Sequence, residues 1–574
     1  MLHFVDETFQ WWAVTAILFC IKDLNLLEFL LLWLGWRYRD RIFTKPRLEK
    51  ANVSWQWLAA RPALSCVVVG CLPILLRLAL LPVLPVPQPM IVDEFSHLLV
   101  ADTFMHGRLT NPTHPLWTHF ESVHIIQHPT YNSMYFPAQG LALFAGALMG
   151  LPWLGILLAT GAMCGAIVWA LQPFMPNRWA ILAGLLAVLR FGLLSYWVNT
   201  YWGGSLAALG GALVLGAYGR LRRKPSIGLG LTLGVGLTVI GIVRPLEGLA
   251  FALPFALLLL RRFSFRALVP AALVLGIAFA GLGVYFQTVT GNRFTPGYVL
   301  NEKEYGWPLV LPGQKPTEPR FRHKELQQYY EWEKGELEKK NSLAATATFA
   351  PWRVIMGWTF FIGPALSIGL LHLKRVLANR RLRIIVVSAA ACALPVFLEA
   401  GYPHYLAPAA ACLMAIAVQG LRYARASRIA PIRGRVAVPL AFSVLSLLIG
   451  VHVIAAPLKI PYLGAQNNFH SWCCVTTDGI LRKKVETTVA AQPGMHVILI
   501  RYHHKEFKGI EWVYNGADID GARIVWARDM GAARNEELVR YYPSRRFWIV
   551  DADDVPAVVR PYGGASTVGE SASR

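Results

Sequence analysis

Asp93 and Glu94 stand side by side at the head of a polar, histidine-rich stretch that interrupts a chain otherwise built of apolar runs. Acidic groups just outside a hydrophobic wall are costly, so this pair is the first place to look for chemistry. A carboxylate that reaches a hydroxyl is a general base; at the start of a helix an Asp is also an ordinary N-cap. Downstream lie His106, His114, His119, His124 and His128, then Tyr131, Tyr135 and Pro137. The five histidines are read as surface or hydrogen-bonding groups, and no metal or other cofactor is expected, with a divalent ion as the alternative. Arg244 is the other expensive residue: it precedes Pro245 at a helix tip in an apolar segment. Its functional reading competes with a structural ion pair to Glu247, three residues on.

The elements that must position these groups are membrane spans. The chain has 574 residues, of which 55% are hydrophobic and 15% charged, and apolar runs of bilayer-crossing length, roughly 20 residues, recur along it. The formal charge of +22 sits in short loops: Arg37–Lys50, Arg220–Lys224, Arg261–Arg266, Lys374–Arg383 and Arg422–Arg435. Four of these five loops hold no Asp or Glu, the pattern of cytoplasmic turns, which excludes nucleic acid as the reason for the charge. The stretch Trp11–Trp36 carries Lys22 and Asp23 and lacks a small-residue cleavage site, so it reads as a retained segment. Six cysteines fall in apolar runs, and no disulfide framework is implied.

Residues 1–60 form an N-terminal hydrophobic segment and basic linker, 61–456 a membrane region, and 457–574 a water-soluble α/β unit. Alternation from the basic loops places 87–136, 199–204, the Arg244–Pro245 tip, 289–350 and 399–404 outside. About eleven to thirteen spans result, with the count open at the N-terminus and at 137–172, where two apolar segments are split by Gly150-Leu151-Pro152. Phe95, Leu98, Leu99, Asp102 and Met105 fall at helical spacing, with Asp93 as N-cap and Gly107 as terminator, a short helix on the membrane surface. Lys324–Lys340 is a charged helix, either a solvated face or a substrate-ordered lid. In the C-terminal unit, 495–501, 522–526 and 547–550 read as strands and 535–542 as a helix.

The run Asp93-Glu94-Phe-Ser-His-Leu-Leu-Val-Ala-Asp102, then Gly107, then Tyr135-Phe-Pro137, resembles the first outer loop of GT-C glycosyltransferases, the superfamily of protein O-mannosyltransferases, aminoarabinose transferases and Rgt-like enzymes. Pro403-His404-Tyr405-Leu-Ala-Pro408 resembles a His-Tyr-Leu-x-Pro element near the end of their membrane region. The likeness covers residues 60–425 as an architecture. It implies a polytopic α-helical fold in the plasma membrane; the C-terminal unit, which the likeness does not cover, is placed outside by alternation. It also implies inverting transfer of a sugar from a polyprenyl-phosphate donor to a glycan, lipid or protein acceptor, with Asp93 as base and Glu94 beside it.

The departing lipid phosphate then needs fixed donors, and Arg244, His404 and Tyr405 are the expected ones, with Lys303, Arg320 and Arg322 as weaker candidates. Asp102, His128, Tyr131, Tyr201 and Trp202 are expected acceptor or loop contacts. The second acidic site of many members has no match in Asn199-Thr-Tyr-Trp202-Gly-Gly. The rival readings are a transporter or flippase of lipid-linked glycans, for which no internal repeat is found, and an inactive scaffold.

Overall fold

The computed structural model describes residues 25–43, 55–261, 264–306, 318–338, 343–397, 401–426, 436–458, 460, 472–473, 479–503 and 510–563. Apolar helices dominate it. Among the described residues, five are long and apolar enough to cross a bilayer: Pro62–Ala79, Trp153–Leu171, Phe265–Thr290, Pro403–Ala426 and Ala437–Ala455. The pair Ala350–Phe361 and Gly363–Leu370 is a sixth if its two halves count as one span. Shorter apolar helices run over Ala138–Ala147, Ser205–Leu221, Ile227–Val243, Pro245–Leu260 and Arg383–Val396. A sixteen-residue helix is about 24 Å long, short of a hydrocarbon core of roughly 30 Å. The expected range of about eleven to thirteen spans is reached only when these short helices are counted.

The ambiguous segment 137–172 is a hairpin of unequal arms, turning at Gly150 with φ 91°. Its first arm has ten residues and its second nineteen, so only Trp153–Leu171 is of spanning length. The helix pair around residue 362 bends by 100°. Bending a helix within a bilayer strands backbone groups, which must then be satisfied by protein. Arg190 donates to Thr359 O, and the Glu28 carboxylate accepts from Ala365 N at 2.6 Å, on the two sides of the break. Cys473 is disulfide-bonded, a feature that residue spacing did not announce because pairing depends on approach in space.

Between residues 479 and 563 the chain forms a four-stranded sheet. Its central strand, His496–Arg501, pairs in parallel with Ile524–Arg528 on one side and Arg546–Asp551 on the other, and Val559–Pro561 adds antiparallel at the edge. Runs such as His-Val-Ile-Leu-Ile-Arg are buried on both faces, as parallel strands are. The helices Gly479–Ala490 and Ala532–Tyr541 complete the unit.

This sheet is packed onto the loop 87–136. Leu99, Phe120, Ile125 and Tyr131 of the loop share one apolar core with Val497, Leu499, Val525, Ala527 and Leu538. Phe95 stacks on Tyr514 at 4.8 Å between ring centres, under the guanidinium of Arg482. The helix Val92–Met105 therefore corrects the surface-helix expectation. Phe95 and Leu99, two residues of the apolar face meant for the membrane, are fully buried against the C-terminal unit, each contributing about 1.5–3 kcal/mol, while Leu98 packs among the apolar helices and Met105 stays exposed. Its N-cap is Ile91, so Asp93 lies inside the first turn, and Gly107 follows the helix end at φ 69° as expected. Buried charge locks the junction: Arg528 meets Glu511 at 2.8 Å and donates to Glu121 O at 2.6 Å.

Candidate active site

The helix start decides where the acidic pair points. Adjacent positions on a helix diverge by about 100°. Glu94, at the third position, turns back: its Oε2 accepts from Met90 N at 2.8 Å and Ile91 N at 3.1 Å, and its Oε1 accepts from Tyr201 N at 3.0 Å. It is 2% exposed. Burial raises its pKa to about 7 against the lowering pull of those three backbone donors. Glu94 thus ties the loop helix to the 199–204 tip.

Asp93 faces another way. Its Oδ1 accepts from Nδ1 of His124 at 2.6 Å and from the Tyr135 hydroxyl, and those two partners are 3.0 Å apart. Oδ2 takes no hydrogen bond among the described residues. Burial by itself would raise this carboxyl, but the His124 bond and charge, with the Tyr135 bond, outweigh it and hold Asp93 below its ordinary value. Asp93 is an ionised carboxylate with one oxygen clamped by donors and the other outside that clamp.

His124 is held for this contact. Its backbone lies at φ 62°, a left-handed conformation that costs a residue with a β-carbon about 1–2 kcal/mol. The surroundings fix it from three sides. Ser96 Oγ donates to its carbonyl at 2.7 Å, Met134 N donates to the same oxygen at 3.2 Å, and its own N–H donates to Tyr330 Oη at 3.3 Å. Backbone strain kept at a polar site is a marker of function.

Tyr330 belongs to the helix Lys324–Glu338 of the long loop. Leu326, Tyr329 and Tyr330 are buried, so this helix is not the solvated face that its charge suggested. Its Glu333 brings Oε2 to 4.0 Å from Nε2 of His124. Burial, and then the charge of Asp93, push Glu333 well above the usual carboxylate range. A second acidic side chain thus reaches the site from residues 324–338, not from the 199–204 tip.

A cationic and aromatic seat lies on the neighbouring side. Arg244 sets its guanidinium 4.2 Å from the ring centre of Tyr405. His404 stacks on Tyr405 at 4.7 Å, meets Trp202 edge-on at 4.6 Å and bonds the Tyr196 hydroxyl through Nδ1 at 2.9 Å. The Pro403–Ala409 turn approaches closely because Gly211 faces Pro408 O, where a β-carbon would clash. His97 links this seat to the acid. It packs on Tyr135 at 4.6 Å and feels both Asp93 and Arg244; burial lowers its pKa to about 4, leaving a neutral ring.

The structure therefore brings Asp93, Arg244, His404, Tyr405 and Trp202 into one region, with Tyr201 attached through Glu94. The other expected contacts go elsewhere. Asp102 accepts from Ala517 N at 2.6 Å and Tyr131 donates to Asn515 O at 2.8 Å, both serving the C-terminal unit. His128 is exposed and packs edge-on to Trp117 at 4.4 Å. His124 and His128 are four residues apart, but that spacing aligns two ligands only on a helix; here a two-stranded hairpin, Ile125–Ile126 with Asn132–Ser133, begins between them. Among the described residues no three His, Cys, Asp or Glu side chains converge as metal ligands. Sequence reasoning missed His97 and Glu333 and did not single out His124. Leu326, Tyr329, Tyr330 and Glu333 recur at i, i+3, i+4 and i+7, the one signal that marked an inward face.

No known family profile matches the chain, and no curated protein matches it in sequence. Among solved structures, apo ArnT from Cupriavidus metallidurans is similar with a TM-score of 0.41 and 15% identity, over 88% of this chain and 94% of that one. ArnT bound to undecaprenyl phosphate gives 0.46 and 14%, over 84% and 92%. The oligosaccharyltransferase AglB from Archaeoglobus fulgidus, in complex with an inhibitory peptide and a dolichol-phosphate, gives 0.39 and 11%, over 86% and 70%.

Proposed function

We propose that this protein is a GT-C-type glycosyltransferase that moves a sugar from a polyprenyl-phosphate carrier to an acceptor hydroxyl with inversion, at the outer face of the plasma membrane. The observation that carries this reading is an ionised Asp93, clamped through Oδ1, beside the cationic and aromatic seat around Arg244. The acceptor oxygen attacks the anomeric carbon as the bond to the carrier phosphate breaks, and the bonding pair leaves with the phosphate. Asp93 Oδ2 takes the acceptor proton, a contribution of about 10²–10⁴-fold when a base is well placed. Arg244 meets the charge growing on the phosphate, with His404 and Tyr405 beside it.

His124 and Tyr135 act through Asp93, setting its orientation and keeping it ionised. Glu94 is a positioning residue between the loop helix and the tip that carries Trp202. The C-terminal unit, on the same side as the site in this reading, holds the loop helix down.

Mass spectrometry of cell-envelope glycans and glycolipids tests the proposal, comparing cells that carry the protein, lack it, or carry Asp93→Asn. The proposal expects one glycoform to be missing without the protein and to stay missing with the variant. Identical glycan profiles in all three would overturn it.

A further inference from the structure

The helix Pro245–Leu260 runs from Arg244, at the site, to Arg261, and its sixteen residues separate the two by about 24 Å. At the Arg261 end the basic loops gather. Arg222 at the end of Ser205–Leu221, Arg261, and Arg380 and Arg383 before and at the start of Arg383–Val396 all line one cavity of about 410 Å³. None of its lining residues is acidic, and the described residues give none of these four arginines a carboxylate partner.

The rest of the wall is apolar. Leu257 and Val387 line the cavity and are 53% and 46% exposed, on helices whose neighbouring surface is itself exposed and hydrophobic, with Leu260 at 59% and Phe265 at 72%. Such a surface, on helices of this composition, belongs against acyl chains. The basic cavity formed with Arg178, Arg375 and Arg422 differs: its described lining is mostly polar and cationic, and it has no comparable greasy wall. Like charges gathered without carboxylates repel one another, so an anion among them is favoured, and the apolar flank favours an anion that carries hydrocarbon.

We infer that this cavity seats an anionic glycerophospholipid from the leaflet facing the basic loops, its phosphate among Arg222, Arg261, Arg380 and Arg383 and an acyl chain along Leu257 and Val387. The site is separate from the proposed catalytic region and lies at the other end of the same helix. A bound lipid there braces the helix that carries Arg244 and closes the gap between the ends of three helices.

Native mass spectrometry of the full-length protein tests this, with phosphatidylglycerol or phosphatidylcholine titrated into detergent. Phosphatidylglycerol should bind about ten-fold tighter. The variant Arg222→Gln/Arg261→Gln/Arg383→Gln should abolish that preference, whereas Arg375→Gln/Arg422→Gln should keep it. Val387→Trp leaves every arginine in place and fills the apolar wall, so it should also lose the bound lipid if the triple variant fails to fold. Equal binding of the two lipids, or an unchanged preference in the triple variant or in Val387→Trp, would overturn the inference. Displacement of phosphatidylglycerol by excess inorganic phosphate would also overturn it, by making this a site for a free anion.

Discussion

Nδ1 of His124 lies 2.6 Å from Oδ1 of Asp93, across 31 residues of chain, while the His124 backbone is held at φ 62°. A relaxed backbone at residue 124 would aim the ring elsewhere, so the strain and the contact are two sides of one arrangement. The anchors come from the loop helix through Ser96 and from the long-loop helix through Tyr330, so three segments must assemble before Asp93 is oriented.

The His124 bond and charge lower the Asp93 pKa, so removing them raises it. His124→Gln should therefore move the acid limb of the kcat/KM profile to higher pH, with less change on the plateau. A pH–rate series on the purified variant checks this, and an unmoved acid limb would remove His124 from the account.

Glu333 supplies the opposite sign. Its folded-state pKa is raised by burial and by Asp93, so the folded protein holds that proton more tightly than the unfolded chain. The stabilisation is full below the ordinary carboxylate pKa and is lost as pH rises toward the raised value. Glu333→Gln mimics the protonated form and should flatten this decline. Thermal unfolding across pH measures it, with wild type losing more stability than the variant as pH rises above the ordinary carboxylate range.

Much of this architecture is legible from residues alone, because it follows from local rules. Apolar runs mark the helices, Gly107 ends the loop helix, and the runs at 496–501 and 546–551 are strands for the reason that β-branched residues favour them. What escaped depends on distant segments. Nothing near Phe95 and Leu99 says that a sheet some 400 residues later will cover them instead of lipid. Glu333 hid in a run whose overall charge masks one inward stripe. Asp93 misled as an N-cap because Ile91 supplies an extended backbone there and Glu94 the reciprocal bond.

Arg244 should matter most for the donor. Arg244→Ala should lower kcat by about 10²–10³-fold if its charge is spent on the leaving phosphate. Arg244→Lys should recover only part, since an ammonium keeps the charge but loses the planar face that lies over Tyr405. Steady-state kinetics with a defined polyprenyl-phosphate sugar separate this from a folding defect, for which both variants would elute as aggregates.

Asp102 should prove structural. Asp102→Ala removes the acceptor for Ala517 N and should cost about 1–3 kcal/mol at the junction with the C-terminal unit. The expected result is a lower unfolding temperature and faster proteolytic cutting between residues 457 and 563, with sugar transfer retained in the intact fraction. Loss of transfer without loss of stability would instead make Asp102 an acceptor contact.

A density map of the protein reconstituted with a polyprenyl phosphate tests the central claim most directly. The account predicts phosphate density within hydrogen-bond distance of the Arg244 guanidinium, in a cavity onto which Asp93 Oδ2 opens. Phosphate bound away from Arg244, or Asp93 walled off from that cavity, would contradict it.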